Sequence, residues 1–146
     1  RRSRESDRPA IRDDGNAVLE FIAVAVVLMI PIAYAIIAAA QLESVIYGVN
    51  GAAQMAARAY ANSNSDYLGR YAATRSAAIA GRNHGLFITS DQVTVTCGVS
   101  NCLTPGTRVS VLVNTSARVG VGPFTRVVPL HSRHVFVMDP YRQEPS

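Results

Sequence analysis

Residues 13–41 read DDGNAVLEFIAVAVVLMIPIAYAIIAAAQ, and the placement of this stretch decides the architecture of the chain. Residues 21–40, twenty in all, carry no formal charge. An α-helix rises 1.5 Å per residue, so such a run spans about 30 Å, the thickness of a bilayer's hydrocarbon core. A signal peptide has a shorter apolar region, about 7–15 residues, followed by a small-residue cleavage site. Ala38, Ala39 and Ala40 supply small residues, so removal there is one competing reading. A buried core helix is another, but such helices rarely stay apolar on every face for so long. The length of the run, and the helical pattern that continues past it, favour a retained transmembrane helix. Pro31 lies in its middle. It removes one backbone hydrogen bond and is expected to kink or loosen the helix, which membrane helices tolerate better than soluble ones.

Glu20 is the discordant residue, a carboxylate one turn inside an otherwise apolar span, where charge is costly. In the plainer reading it marks the helix boundary and faces headgroups, with Asp13 and Asp14 as charges at a helix N-terminus. In the sharper reading it awaits a positive partner. Cleavage after Gly15 creates one, because the new amino group of Asn16 is one helical turn away and can also reach Glu20 of a neighbouring subunit. In a low-dielectric bundle such a pair fixes register, since an unmatched carboxylate there is expensive.

The helix is expected to continue beyond the membrane. Leu42, Val45, Ile46, Val49, Ala52, Ala53, Ala56 and Ala57 recur at helical spacing, and Ala53, Ala57 and Tyr60 share a face small enough for close packing. Gly48 and Gly51 weaken this helix and suggest a bend. NSNSD at residues 62–66 reads as a loop with an N-cap in Ser65 or Asp66. A second amphipathic helix follows over about residues 67–83, with Leu68, Tyr71, Ala72, Ala78 and Ile79 as its apolar candidates and Gly85 as its C-cap. The period then falls to two. Val93, Val95 and Cys97 alternate with Gln92, Thr94 and Thr96, and Val109, Val111 and Val113 alternate with Arg108, Ser110 and Leu112. Pro105-Gly106 between them is turn chemistry. ARVGVG and SRHVFVM are further short strands. The fold class is therefore α+β: a long N-terminal transmembrane and stalk helix with a Pro kink, a second helix, then a small antiparallel sheet of three or four strands covered by the helices. The domain division is a leader at 1–15, the membrane and stalk helix at 16–61, and an extracytoplasmic α+β domain at 62–146.

The net charge is +4, and all 14 basic residues are Arg. Beyond the first few residues they are scattered singly, without the patch or stripe that nucleic-acid binding requires. Residues 1–14 hold five Arg against four acids, a weak positive bias for a cytoplasmic N-terminus. The two cysteines, Cys97 and Cys102, stand in TCGVSNC between the Val-rich runs. A disulfide there would staple a short loop and imply an oxidising compartment, hence an outer C-terminal domain. Reduced thiols and half of a metal site are the alternatives, and zinc would need a second Cys pair or clustered histidines. His131 and His134 are three apart in an extended segment and point to opposite faces. Glu43, Asp66, Asp91, Asp139 and Glu144 each read as a cap, a turn residue or a solvated charge. There is no phosphate-binding Gly loop or nucleophile motif, so neither an enzyme nor a cofactor is expected.

The segment GNAVLEF, Gly15 onward, with its twenty or so apolar residues, resembles the prepilin peptidase site of type IV pilins and pseudopilins. In that family cleavage follows the Gly and a Glu is the fifth residue of the mature chain; here these are Gly15, Asn16 as the new first residue, and Glu20. Phe21 matches the Glu-aromatic form of the Flp/Tad subgroup, and the charged residues Arg12, Asp13 and Asp14 before the Gly are similar too. The major pilin of that subgroup is very short. A domain of about a hundred residues after the stalk resembles instead the TadE/TadF-like minor pilins or pseudopilins. GAAQMAARAYA, with Ala52, Ala53, Ala56, Ala57 and Arg58, is similar to the TadE segment after the membrane. The Cys pair, the Val-rich hairpin and MDPYR suggest its actinobacterial branch. The resemblance covers residues 13–60 specifically and the rest loosely. It implies a minor pilin or pseudopilin that supports Tad/Flp pilus assembly, with prepilin peptidase, other pilin subunits and membrane lipid as partners. The protein would pass the membrane once and enter a surface pilus. The alternative is a permanently anchored cell-envelope binding protein, which predicts no cleavage and no special role for Glu20.

Overall fold

The structure is a computed structural model and describes residues 16–141. The leader, with Gly15, lies outside the described residues. The elements are α1 (Asn16–Ala61), α2 (Asp66–Arg82), β1 (Val93–Cys97), β2 (Arg108–Val119) and β3 (Arg126–Val137). This is the expected α+β order: a long apolar helix, a second helix and an antiparallel sheet. The chain divides into two units, one ending at Ile36 and one beginning at Ile37.

In the first unit α1 is apolar on every face, and its large side chains, including Phe21, Val27, Met29 and Ile36, are exposed. Pro31 lies inside this stretch. The helix is long and apolar enough to cross a membrane.

In the second unit α1 becomes one-sided. Val45, Val49, Ala52, Ala53, Ala56, Ala57 and Tyr60 are buried at the spacing expected of one helical stripe. Leu42 and Ile46 belong to the same sequence pattern but lie off the stripe, exposed. α1 stays helical through Gly48 and Gly51. A Cβ at Gly48 would run into the side chains of His84 and Leu86, so this glycine serves close approach.

Ser65 caps α2, its side chain accepting the Leu68 N–H at 3.3 Å. The helix closes in a Schellman arrangement: Gly85 N–H donates to the Arg82 carbonyl, and Leu86 N–H donates to the Gly81 carbonyl. Gly85 sits at φ +71°, the left-handed position where glycine alone is unstrained. The buried face differs from the expected one. It is Gly69, Ala73, Ala77 and Gly81, whereas Leu68, Tyr71 and Ile79 are exposed. A Cβ at Gly69 would strike the ring of Tyr60, so this face is chosen for thinness rather than for apolar bulk.

The sheet order is β1-β2-β3, antiparallel throughout. The two runs read as separate strands, TRVSVLV and ARVGVG, form a single twelve-residue β2, so the sheet has three strands. Val109, Val111, Val113, Thr115 and Ala117 alternate inward along it. They join Val95, Leu130 and the buried stripes of α1 and α2 in one core, with both helices on the same face of the sheet.

Candidate functional site

The residues singled out at the N-terminus lie on α1. Asn16 is helical, and Glu20 and Phe21 are exposed on the first unit, surrounded by apolar side chains. Residues four apart on a helix are neighbours, so position 16 and Glu20 share a face. The apolar side chains from Val18 onward cover the whole circumference, which water would not solvate favourably.

The second unit is fastened by polar links between α1, α2 and the sheet. The Tyr60 hydroxyl donates to Asp66 Oδ1, and Arg70 Nε donates to Asp66 Oδ2 at 2.8 Å. The same guanidinium donates to the Val95 carbonyl at 3.0 Å. One chain of contacts therefore joins the end of α1, the first turn of α2 and β1. The Arg70 hydrogen bond is the main cause that lowers the Asp66 pKa; slight burial opposes it, and the Tyr60 bond adds to it. A depressed carboxylate stabilises the fold above the ordinary aspartate pKa of about 3.9, and that contribution disappears as pH falls through the lower folded value. Asp66→Asn is thus expected to lower stability at pH 7 by less than about 1 kcal/mol, because the ion pair is nearly half exposed. Thermal melts should show the gap between variant and parent closing as pH falls below the ordinary aspartate range. Gln41 and Asn50 make two further links: Gly120 N–H donates to Gln41 Oε1 at 2.8 Å, and Ser132 Oγ donates to Asn50 Oδ1 at 2.7 Å.

Cys97 and Cys102 are disulfide-bonded, with Cα atoms 5.5 Å apart. The bridge closes a loop over a sequence separation of 5, for which chain entropy gives about 2 kcal/mol of stabilisation. Gly106, at φ +77°, turns the chain just beyond it, so bridge and Pro-Gly turn share the tip of the β1–β2 hairpin as expected.

A groove of about 650 Å³ runs between Gln41, Ser44 and Val45 of α1, the loop at His84 and Phe87, and Thr115, Arg118 and Val127 of the sheet. Ser44 Oγ lies 3.4 Å from His84 Nδ1, at the long limit of a hydrogen bond. Among the described residues no carboxylate bonds to His84 to orient it as a general base would require. His131 and His134 occupy opposite faces of β3, paired with Asn114 and Val111. Among the described residues no group of three His, Cys, Asp or Glu side chains converges on a metal position.

Comparison with protein-family models, with curated proteins and with solved structures finds no match. The chain's own geometry therefore carries the functional reading. In the sequence Asp66 reads as a cap, a turn residue or a solvated charge. Its spacing to Arg70, four residues on in α2, was the available signal for the ion pair; the approach of Tyr60 from α1 had no local signal.

Proposed function

We propose that the chain is a minor pilin or pseudopilin of the TadE/TadF kind, supporting assembly of a Tad/Flp type IV pilus and processed by prepilin peptidase after Gly15. One observation carries the reading. A single helix, α1, holds the Gly15–Phe21 motif's Glu20, then a hydrocarbon-length apolar stretch exposed on all sides, then the small-residue stripe on which a folded domain is built. A membrane anchor needs only the apolar stretch. Glu20 within it has a use when subunits pack side by side and each carboxylate meets a charged amine.

Before assembly the protein resides in the membrane, with its N-terminus cytoplasmic and its α+β domain outside. The disulfide supports that side, because such bonds persist in oxidising compartments. Assembly moves the apolar stretch from lipid into contact with other pilin subunits. Lipid and subunit surfaces are about equally apolar, so packing and the Glu20 pair decide the transfer. Pro31 leaves one backbone carbonyl without its helical donor and eases local adjustment during that move.

N-terminal sequencing of the membrane-extracted protein tests the processing step. Asn16 is expected as the first residue in cells with active prepilin peptidase. A retained leader in those cells would favour the permanently anchored envelope protein instead.

A further inference from the structure

We propose that the end of the α+β domain formed by the β2–β3 turn and Phe87 is a membrane-seating surface, which takes a phospholipid bilayer as its partner. The proposal rests on the reading of residues 21–40 as a membrane span.

The position of this end is fixed within the second unit. Gln41 is the first polar residue after the apolar run, and its side chain accepts the Gly120 N–H at 2.8 Å. That bond holds the β2–β3 turn at the level of α1 where the hydrocarbon-length run stops. Phe87 and Val127 line the groove that Gln41 also lines, so they lie around the same level.

The chemistry of this end is unlike that of a solvated turn. Phe87 is 81% exposed, Phe124 74% and Val127 64%, and Val121 and Pro123 are exposed beside them. Large apolar side chains exposed on the β2–β3 tip and on the neighbouring segment at Phe87 mark a surface that meets something apolar. The turn is built to present them. Gly120 and Gly122 take positive φ, and Gly122–Phe124 forms one turn of 3₁₀-helix with Pro123 inside it. A Cβ at Gly120 would collide with the Phe124 backbone, so the turn folds tightly back on itself. Arg118 and Arg126 flank the tip, both exposed, at the end of the β2–β3 ladder where Arg118 pairs with Val127 and Val119 with Arg126. Apolar tips between arginines suit the boundary between acyl chains and anionic headgroups. At the opposite end of the sheet the disulfide loop sets one exposed large apolar side chain, Val99, among Asn101, Thr104 and Thr107, with Val137 and Tyr141 exposed where β3 ends.

Seating gives the domain a fixed height at the membrane. It also gives a condition for leaving: extraction of the subunit must release these aromatic groups from lipid as well as the helix.

The chain contains no Trp, so single substitutions provide unambiguous probes. The full chain is reconstituted in vesicles of phosphatidylethanolamine and phosphatidylglycerol, with and without brominated acyl chains. Phe124→Trp and Phe87→Trp report the seat, Val99→Trp reports the disulfide loop and Ile32→Trp reports the span. Interfacial apolar groups sit about 5–10 Å into the headgroup–acyl boundary, so both seat probes are expected to be quenched about twofold or more above Val99→Trp. Seat probes quenched no more than Val99→Trp, with Ile32→Trp quenched, overturn the proposal and leave the membrane span standing. Blue-shifted but unquenched seat probes also overturn it, because protein, such as a second copy, then covers the surface. An unquenched Ile32→Trp removes the span and the seat together.

Discussion

Glu20→Ala is expected to abolish incorporation into pili while leaving membrane insertion and cleavage after Gly15 intact. Insertion improves slightly, because a carboxylate inside an apolar helix opposes partitioning and alanine does not. Cleavage depends on the residues around Gly15, which are unchanged. On the proposed pilin reading, assembly is the step that needs the carboxylate. Within a packed bundle the Asn16 amine would remain without its partner, and breaking such a buried pair costs about 3–5 kcal/mol. At about 1.4 kcal/mol per factor of ten, each subunit contact weakens by roughly two to nearly four orders of magnitude. Glu20→Asp keeps the charge on a shorter arm and should recover assembly in part. The assay is the amount of the chain in the sheared surface fraction against the amount retained in membranes. Normal incorporation of Glu20→Ala would remove the register role, even if N-terminal sequencing still found Asn16 first.

Much of this architecture was legible because the relevant side chains are large or alternate cleanly. The span is read from length and from the absence of charge. The stripe on α1 is read from Val45, Val49 and the paired alanines at helical spacing. The alternating valines of β1 and β2 place one face inward without further information. The buried face of α2 departs from the expected one for a physical reason. Hydrophobic periodicity weighs side-chain bulk, and Leu68, Tyr71 and Ile79 outweigh Gly69, Ala73, Ala77 and Gly81. Close packing against Tyr60 and Ile88 selects the thin face, because a Cβ at Gly69 or Gly81 has no room. The length of β2 was hidden by Asn114, Thr115 and Ser116. A polar triplet looks like an interruption, yet Thr115 is buried in step with Val111, Val113 and Ala117. At the candidate site the contrast is similar. Gly15, Glu20 and Phe21 form a motif within seven residues, so sequence alone exposes them. The links from Gln41 to Gly120 and from Asn50 to Ser132 join positions 79 and 82 apart, and only the folded chain brings them together.

Tyr60→Ala is expected to unfold the outer domain or bring it close to unfolding. Tyr60 is the largest fully buried side chain, 0% exposed, and stands where α1 meets α2. Its ring packs against Gly69, whose missing side chain leaves the space that the ring fills. Truncating a buried aromatic to alanine typically costs about 3–5 kcal/mol. Glycine and alanine line much of the surrounding core and have no longer rotamers with which to fill the cavity, so the upper part of that range applies. Small domains hold about 5–15 kcal/mol in total, and the loss is a large share of it. Tyr60→Phe separates the ring from the hydroxyl. It keeps the ring and removes the hydroxyl's bond to Asp66, for an expected loss of about 1 kcal/mol. Asp66 retains Arg70 in that variant, so no carboxylate is stranded. Denaturant titration of the disulfide-intact protein measures both variants. A loss for Tyr60→Phe as large as that for Tyr60→Ala would move the weight of the α1–α2 junction from the ring to the Tyr60–Asp66–Arg70 chain. If Tyr60→Ala melts like the parent, the ring is not the keystone between the two helices, and the thin face of α2 needs another explanation.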